Sequence, residues 1–128
     1  MSRSFTILPL FLLMLVGKST SSQAQVGIED DSKGTWLYHY CQSSVRAEDA
    51  GKNAEPTDIE DANQCIDYIA GFMDASYNTT LFCTGNATTG TLIRIYVNYM
   101  QKHPKYRDEQ RGIGLLAALH ANYPCPSK

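Results

Sequence analysis

The chain has 128 residues, 43% hydrophobic and 19% charged, with 11 basic side chains against 13 acidic ones. It lacks the basic excess that a phosphate backbone requires, which excludes nucleic acid as a natural partner. A chain of this length fits one domain with one modest core.

The first 24 residues read as an export signal and not as part of the fold. Arg3 supplies a positive start, residues 7–16 form an apolar run, and Ser22, Gln23 and Ala24 place small residues at minus three and minus one of a cleavage site. A membrane span needs ~20 apolar residues, so the run is too short to anchor the chain, and the mature protein is expected to insert in no membrane. Cleavage after Ala24 removes Arg3 and Lys18, leaving 9 basic residues against 13 acidic ones and a formal charge of −4. Residues 25–34 are polar, with Glu29, Asp30 and Asp31 and no apolar rhythm. They predict a flexible acidic N-terminus ahead of a single domain over 35–128.

Thr35 is a candidate N-cap for a first helix that carries Trp36, Leu37, Tyr38 and Tyr40 to Cys41 and Val45. Residues 47–57 have loop composition, with Gly51, Asn53 and Pro56. Thr57 or Asp58 then caps a second helix, with Ile59, Ala62, Cys65, Ile66, Ile69, Phe72 and Met73 at helical spacing. Its core stripe is expected at Cys65, Ile66, Ile69, Phe72 and Met73. Asp67, Gly71, Asp74 and Asn78 share another face, where Gly71 leaves a notch that would admit a neighbouring helix.

Residues 78–90 are rich in Asn, Thr and Gly around Cys83, and Asn78 and Asn86 each open a glycosylation sequon. Thr88 or Thr89 caps a third helix with Leu92, Ile95, Tyr96, Tyr99 and Met100 on one face, ended by Pro104. A tight turn over 103–106 leads to a fourth helix from about Arg107 through Ile113, Leu116, Ala117 and Leu119 to Asn122. Gly112 and Gly114 inside it point to close packing against another helix. The fold class is all-α, a small disulfide-stapled bundle of four main helices with antiparallel neighbours.

All four cysteines fall after the signal, and an even number in an exported chain predicts two disulfides. Their separation, with 23, 17 and 41 residues intervening, lacks the close pairs of a zinc site, so no metal is expected. A hairpin of helices one and two brings Cys41 to Cys65, and a fourth helix returning along the third brings Cys125 to Cys83. Those pairings are favoured over the other two.

Pairing also removes the thiolate that a Cys-His hydrolase using His39, His103 or His120 would need. No G-x-S-x-G, H-E-x-x-H or C-x-x-C-H motif is present. Asp67 and Asp74 stand ~10.5 Å apart along a helix axis, generous for paired carboxylate work and too far for one metal ion without other ligands. No catalytic residue and no cofactor is expected. His103, Tyr106 and Arg107 form the candidate partner-binding cluster, because tyrosine and arginine are frequent interface anchors and Pro104 stiffens the turn presenting them. The competing reading has Arg107 starting the fourth helix and Tyr106 closing the core.

Cys65, Tyr68, Ile69, Gly71 and Asp74, then Phe82-Cys83, Tyr99-Met100, His103-Pro104, Arg107 and a closing Tyr123-Pro124-Cys125, in that order and spacing, resemble the Rap/Tai family of periplasmic immunity proteins. The resemblance runs from about Trp36 to Cys125. It implies a periplasmic, helical, disulfide-bonded homodimer that binds a peptidoglycan amidase delivered by type VI secretion, occludes its cleft, and hydrolyses nothing itself. It also implies that Cys65, Tyr68, Gly71, Asp74, Cys83, His103, Pro104, Arg107, Pro124 and Cys125 are scaffold positions. The alternative class is a structural or chaperone-like periplasmic protein without a cognate toxin.

Overall fold

The computed structural model describes residues 30–127. Residues 1–24, which read as an export signal, and residues 25–29 of the acidic segment lie outside the described residues. Four helices make the fold: α1, Gly34–Ala50; α2, Pro56–Ala75; α3, Thr89–Lys102; and α4, Arg111–Asn122. Short 3-10 turns, Gly51–Asn53 and Pro104–Arg107, follow α1 and α3. Among the described residues there is no strand beyond one isolated antiparallel bridge, Lys33 to Gln110.

Local chemistry sets the helix ends. α1 stops at Gly51, whose φ of 56° is one that side chains rarely adopt. α2 opens with Pro56 as its first residue, and the preceding Glu55 is extended, as a residue before proline must be. Thr88 caps α3 by accepting the Thr91 N–H at 3.2 Å. α3 ends at His103, before Pro104.

Several expected boundaries move. α1 begins at Gly34 with Lys33 at its cap, not Thr35, because residues 32–34 are fixed from outside the helix. The Arg111 N–H donates to Ser32 O and the Gly34 N–H to Glu109 O, each at 2.8 Å. This pinning also shows that the last part of the segment expected to be loose is tied down. α1 continues past Ala47 to Ala50, since Arg94 of α3 pairs with Glu48 at 2.9 Å and Asp49 at 2.5 Å. α4 starts at Arg111 and not near Arg107, because residues 104–107 close the 3-10 turn first.

α1 packs against the other three helices. Leu37 and Cys41 of α1, Cys65 and Ile69 of α2, Tyr96 and Met100 of α3, and Leu115, Ala118 and Leu119 of α4 are fully buried. Both expected disulfides are present, Cys41–Cys65 and Cys83–Cys125. Cys41 stands nine residues before Ala50 and Cys65 nine after Pro56, the matched register an antiparallel hairpin requires.

Two stripes are corrected. Ile59 and Ile66 are 51% and 39% exposed, so the buried edge of α2 is Ala62, Cys65 and Ile69, with Phe72 and Met73 half-buried against it. On α4 the core face is Leu115, Ala118 and Leu119, whereas Ile113 is exposed and Leu116 and Ala117 are half-buried. α4 is apolar nearly all round, so its periodicity names two candidate faces and only the neighbours select one.

The glycines divide too. A Cβ on Gly71 would meet nothing within 4 Å, so the notch expected to admit a helix is open surface. A Cβ on Gly112 would lie 3.1 Å from the Tyr68 hydroxyl, and one on Gly114 2.7 Å from Met100 Sδ, which is the close helix approach their positions predict. Gly34 has the tightest contact, because its Cβ would fall 2.2 Å from the Tyr106 carbonyl oxygen.

Candidate binding surface

The junction between α3 and α4 concentrates aromatic and cationic side chains. His103 ends α3 with its Nδ1–H donating to Tyr99 O at 2.9 Å, and its ring stacks on Tyr99 at 4.0 Å between centroids. Tyr106 follows, with its ring 5.7 Å from that of Tyr99. Burial first, and then Tyr106, push the Tyr99 phenol above its ordinary value. Lys105 Nζ lies 5.1 Å from the Tyr106 ring centre.

The two arginines of this junction turn inward. The Arg107 guanidinium sits 4.5 Å over the Tyr38 ring, and its Nε is buried without a hydrogen-bond partner among the described residues. Arg111 lies between Trp36 at 5.1 Å and Tyr68 at 4.7 Å, and donates to Asp31 O at 2.8 Å. Ring faces, not carboxylates, hold both cations, and Arg111 ties α1, α2 and α4 together. His103, Tyr106 and Arg107 are therefore half-buried and do not form the exposed cluster their turn suggests. Tyr106 packs against the core, as the competing reading holds, and Arg107 ends the 3-10 turn instead of starting α4.

The other motif positions scatter over the bundle. Cys65 is in the core and Tyr68 holds Arg111, whereas Gly71, Asp74 and Pro124 are exposed. Asp74 borders a cleft of about 450 Å³ between the end of α2 and the connection that follows it. A second cleft, about 280 Å³, opens where α1, α2 and α3 meet, with Glu48 and Ile66 in its lining.

A groove of about 310 Å³ runs along the outer face of α4, lined by Leu81, Tyr106, Ile113, Leu116, Ala117 and His120. Leu81 and Ile113 are 51% and 43% exposed. The connection between α2 and α3 is clamped over the far end of α4: Nδ1–H of His120 donates to Leu81 O at 2.6 Å, and the Cys83 N–H to Tyr123 O at 2.8 Å. Of the apolar set read on the fourth helix, Ile113, Leu116 and Ala117 line this face, whereas Leu119 is buried in the core. Nothing in the sequence marks Leu81 as its neighbour, nor Arg111 as the centre of an aromatic sandwich.

All four cysteines are disulfide-bonded, so no thiolate is available to a histidine. No group of three His, Cys, Asp or Glu side chains among the described residues could hold a metal ion. No helix among them is long and apolar enough to cross a membrane. What the surface offers is shape, apolar area and charge for contact with another molecule.

No curated protein and no solved structure shows significant similarity to the chain. A family model described as Rap1a immunity proteins matches residues 33–125, which takes in all four helices and both disulfides. The chain therefore belongs to the Rap1a immunity protein family.

Proposed function

We propose that this protein is a periplasmic immunity protein that binds a peptidoglycan amidase effector and occludes its active-site cleft, protecting the cell that makes it. The family match carries the reading: it points to effector immunity and hence to a protein partner. The signal-like residues 1–24, with cleavage after Ala24, and two disulfides support an exported, oxidising location. The amidase as target, delivery by type VI secretion and assembly as a homodimer are parts of the proposal that rest on the likeness to Rap/Tai proteins.

The contact surface is proposed to include the edge of the α3–α4 junction, where His103 and Tyr106 are half-buried and Arg107 packs over Tyr38. A stiff turn loses little conformational entropy on docking. The test identifies the exported hydrolase gene expected beside this one and expresses it in the periplasm, with and without this protein; the absence of any such gene counts against the reading. Survival only with the protein, together with a stable complex of the two purified chains, is the expected result. Lysis in both cases, with no complex, would overturn the reading.

A further inference from the structure

We infer that the connection between α2 and α3, residues 76–88, is the segment that enters the partner's catalytic cleft, with Tyr77 as its anchor. The inference rests on the immunity reading above and names the part of the surface that does the blocking. Tyr77 is 87% exposed, more than any other large hydrophobic side chain among the described residues. Outside this connection the exposed ones, Ile59, Ile66 and Ile113, sit on the faces of α2 and α4. No residue between Asp74 and Arg94 is charged, in a chain with 11 basic and 13 acidic side chains. The centres of protein interfaces have that composition, poor in charge and rich in tyrosine. Apart from Leu81, Phe82, Cys83 and Ala87, residues 76–88 are Ser, Tyr, Asn, Thr and Gly, as in binding loops that set adaptable hydrogen-bonding groups around an aromatic anchor.

The connection has no helix or strand of its own, yet it is fastened along its length. The Tyr77 N–H donates to Asp74 O at 3.4 Å, the Thr79 N–H to Ser76 O at 2.9 Å, and the Ala87 N–H to Thr84 O at 3.1 Å. Phe82 is buried and stacks on Phe72 at 6.3 Å between centroids. The Cys83–Cys125 bond and the Cys83 N–H to Tyr123 O bond then tie it to the end of the chain. Loops of this length without regular structure are uncommon and, when fixed, commonly functional. Stiffness set before contact keeps the entropy lost on docking small, which gives the surface disulfide a purpose beyond stability. An enzyme's cleft is concave, so what fills it is an exposed side chain on a stiff segment and not one of the clefts of this surface.

The experiment uses the full mature chain and the purified exported hydrolase of the neighbouring gene. Y77A is expected to weaken the complex roughly thirtyfold, as removal of an interface anchor does, whereas I59A on the exposed face of α2 leaves it unchanged. C83S/C125S keeps Tyr77 but frees the connection, and is expected to weaken the complex roughly tenfold while the far-UV circular dichroism stays helical. Inhibition by the unaltered chain is expected to be competitive with a soluble peptidoglycan fragment. Undiminished binding by Y77A, or inhibition that the fragment does not relieve, would overturn the inference and leave the immunity reading intact. If the unaltered chain neither binds nor inhibits the hydrolase, the immunity reading fails and this inference falls with it.

Discussion

The two disulfides fasten regions of opposite character. Cys41–Cys65 joins two long helices at their centre, and both cysteines are fully buried. Cys83–Cys125 joins an irregular connection to the C-terminal residues, and Cys83 is exposed. Their sequence separations, 24 and 42 residues, differ by less than a factor of two, so chain entropy alone would favour the second by only about 0.5 kcal/mol. Burial separates them far more. A bond inside the core is also a packed side chain, whereas a bond at the surface is mainly a tether.

The largest test of this contrast is removal of the buried bond. C41A/C65A should lose about 5 kcal/mol, combining the lost cross-link with the cavity left in the α1–α2 seam, and denaturant titration should show the loss as a collapsed midpoint. Removal of the surface bond, C83S/C125S, should cost about 3 kcal/mol in the same titration and leave the helical content intact. Mild reduction followed by alkylation and mass analysis should label Cys83 and Cys125 before Cys41 and Cys65. Simultaneous labelling would break the comparison.

Glycines sharpen it at smaller scale. G34A drives a methyl group into the Tyr106 carbonyl and should cost about 2 kcal/mol, whereas G71A meets nothing and should stabilise α2 by about 1 kcal/mol, both read from thermal or urea unfolding. If G71A keeps the fold and loses partner binding, the exposed glycine belongs to the interface. The smallest effect concerns Asp58, whose carboxyl is held below its ordinary value by hydrogen bonds from Arg46, against an opposing effect of burial. A lowered folded value means that the pair stabilises fully above pH ~4 and that this stabilisation is lost as pH falls through the folded value. D58N should flatten that loss, seen as a smaller drop in urea midpoint between neutral and strongly acidic pH.

The helices were legible because their caps and breakers are local. Thr88 before α3, and Pro104 and Pro124 after α3 and α4, act on the backbone within a residue or two, whereas α2 starts at Pro56, which reads as loop, ahead of Thr57 and Asp58, which read as its caps. The disulfide pairing was legible because a hairpin register is arithmetic on helix ends. The candidate surface was less so. His103, Tyr106 and Arg107 stand out by composition as candidates, but their half-burial depends on Tyr38, Tyr99 and the core beneath them, which lie in other elements. On α4 the apolar set Ile113, Leu116, Ala117 and Leu119 splits, the first three lining the groove and Leu119 entering the core.

The sequence by itself determined an all-helical chain with four cysteines paired two by two, and an order of motifs sufficient to place it among immunity proteins. Hydrophobic rhythm, proline, capping residues and cysteine count act through near neighbours or through simple spacing, so they survive without a third dimension. Tertiary structure alone decided that Arg107 and Arg111 turn onto aromatic rings, that Gly34 is compressed while Gly71 is open, and that Leu81 joins Ile113 to floor a groove. Each of these joins residues tens of positions apart, and which side of a helix meets its neighbour is settled by the packing of all four helices together.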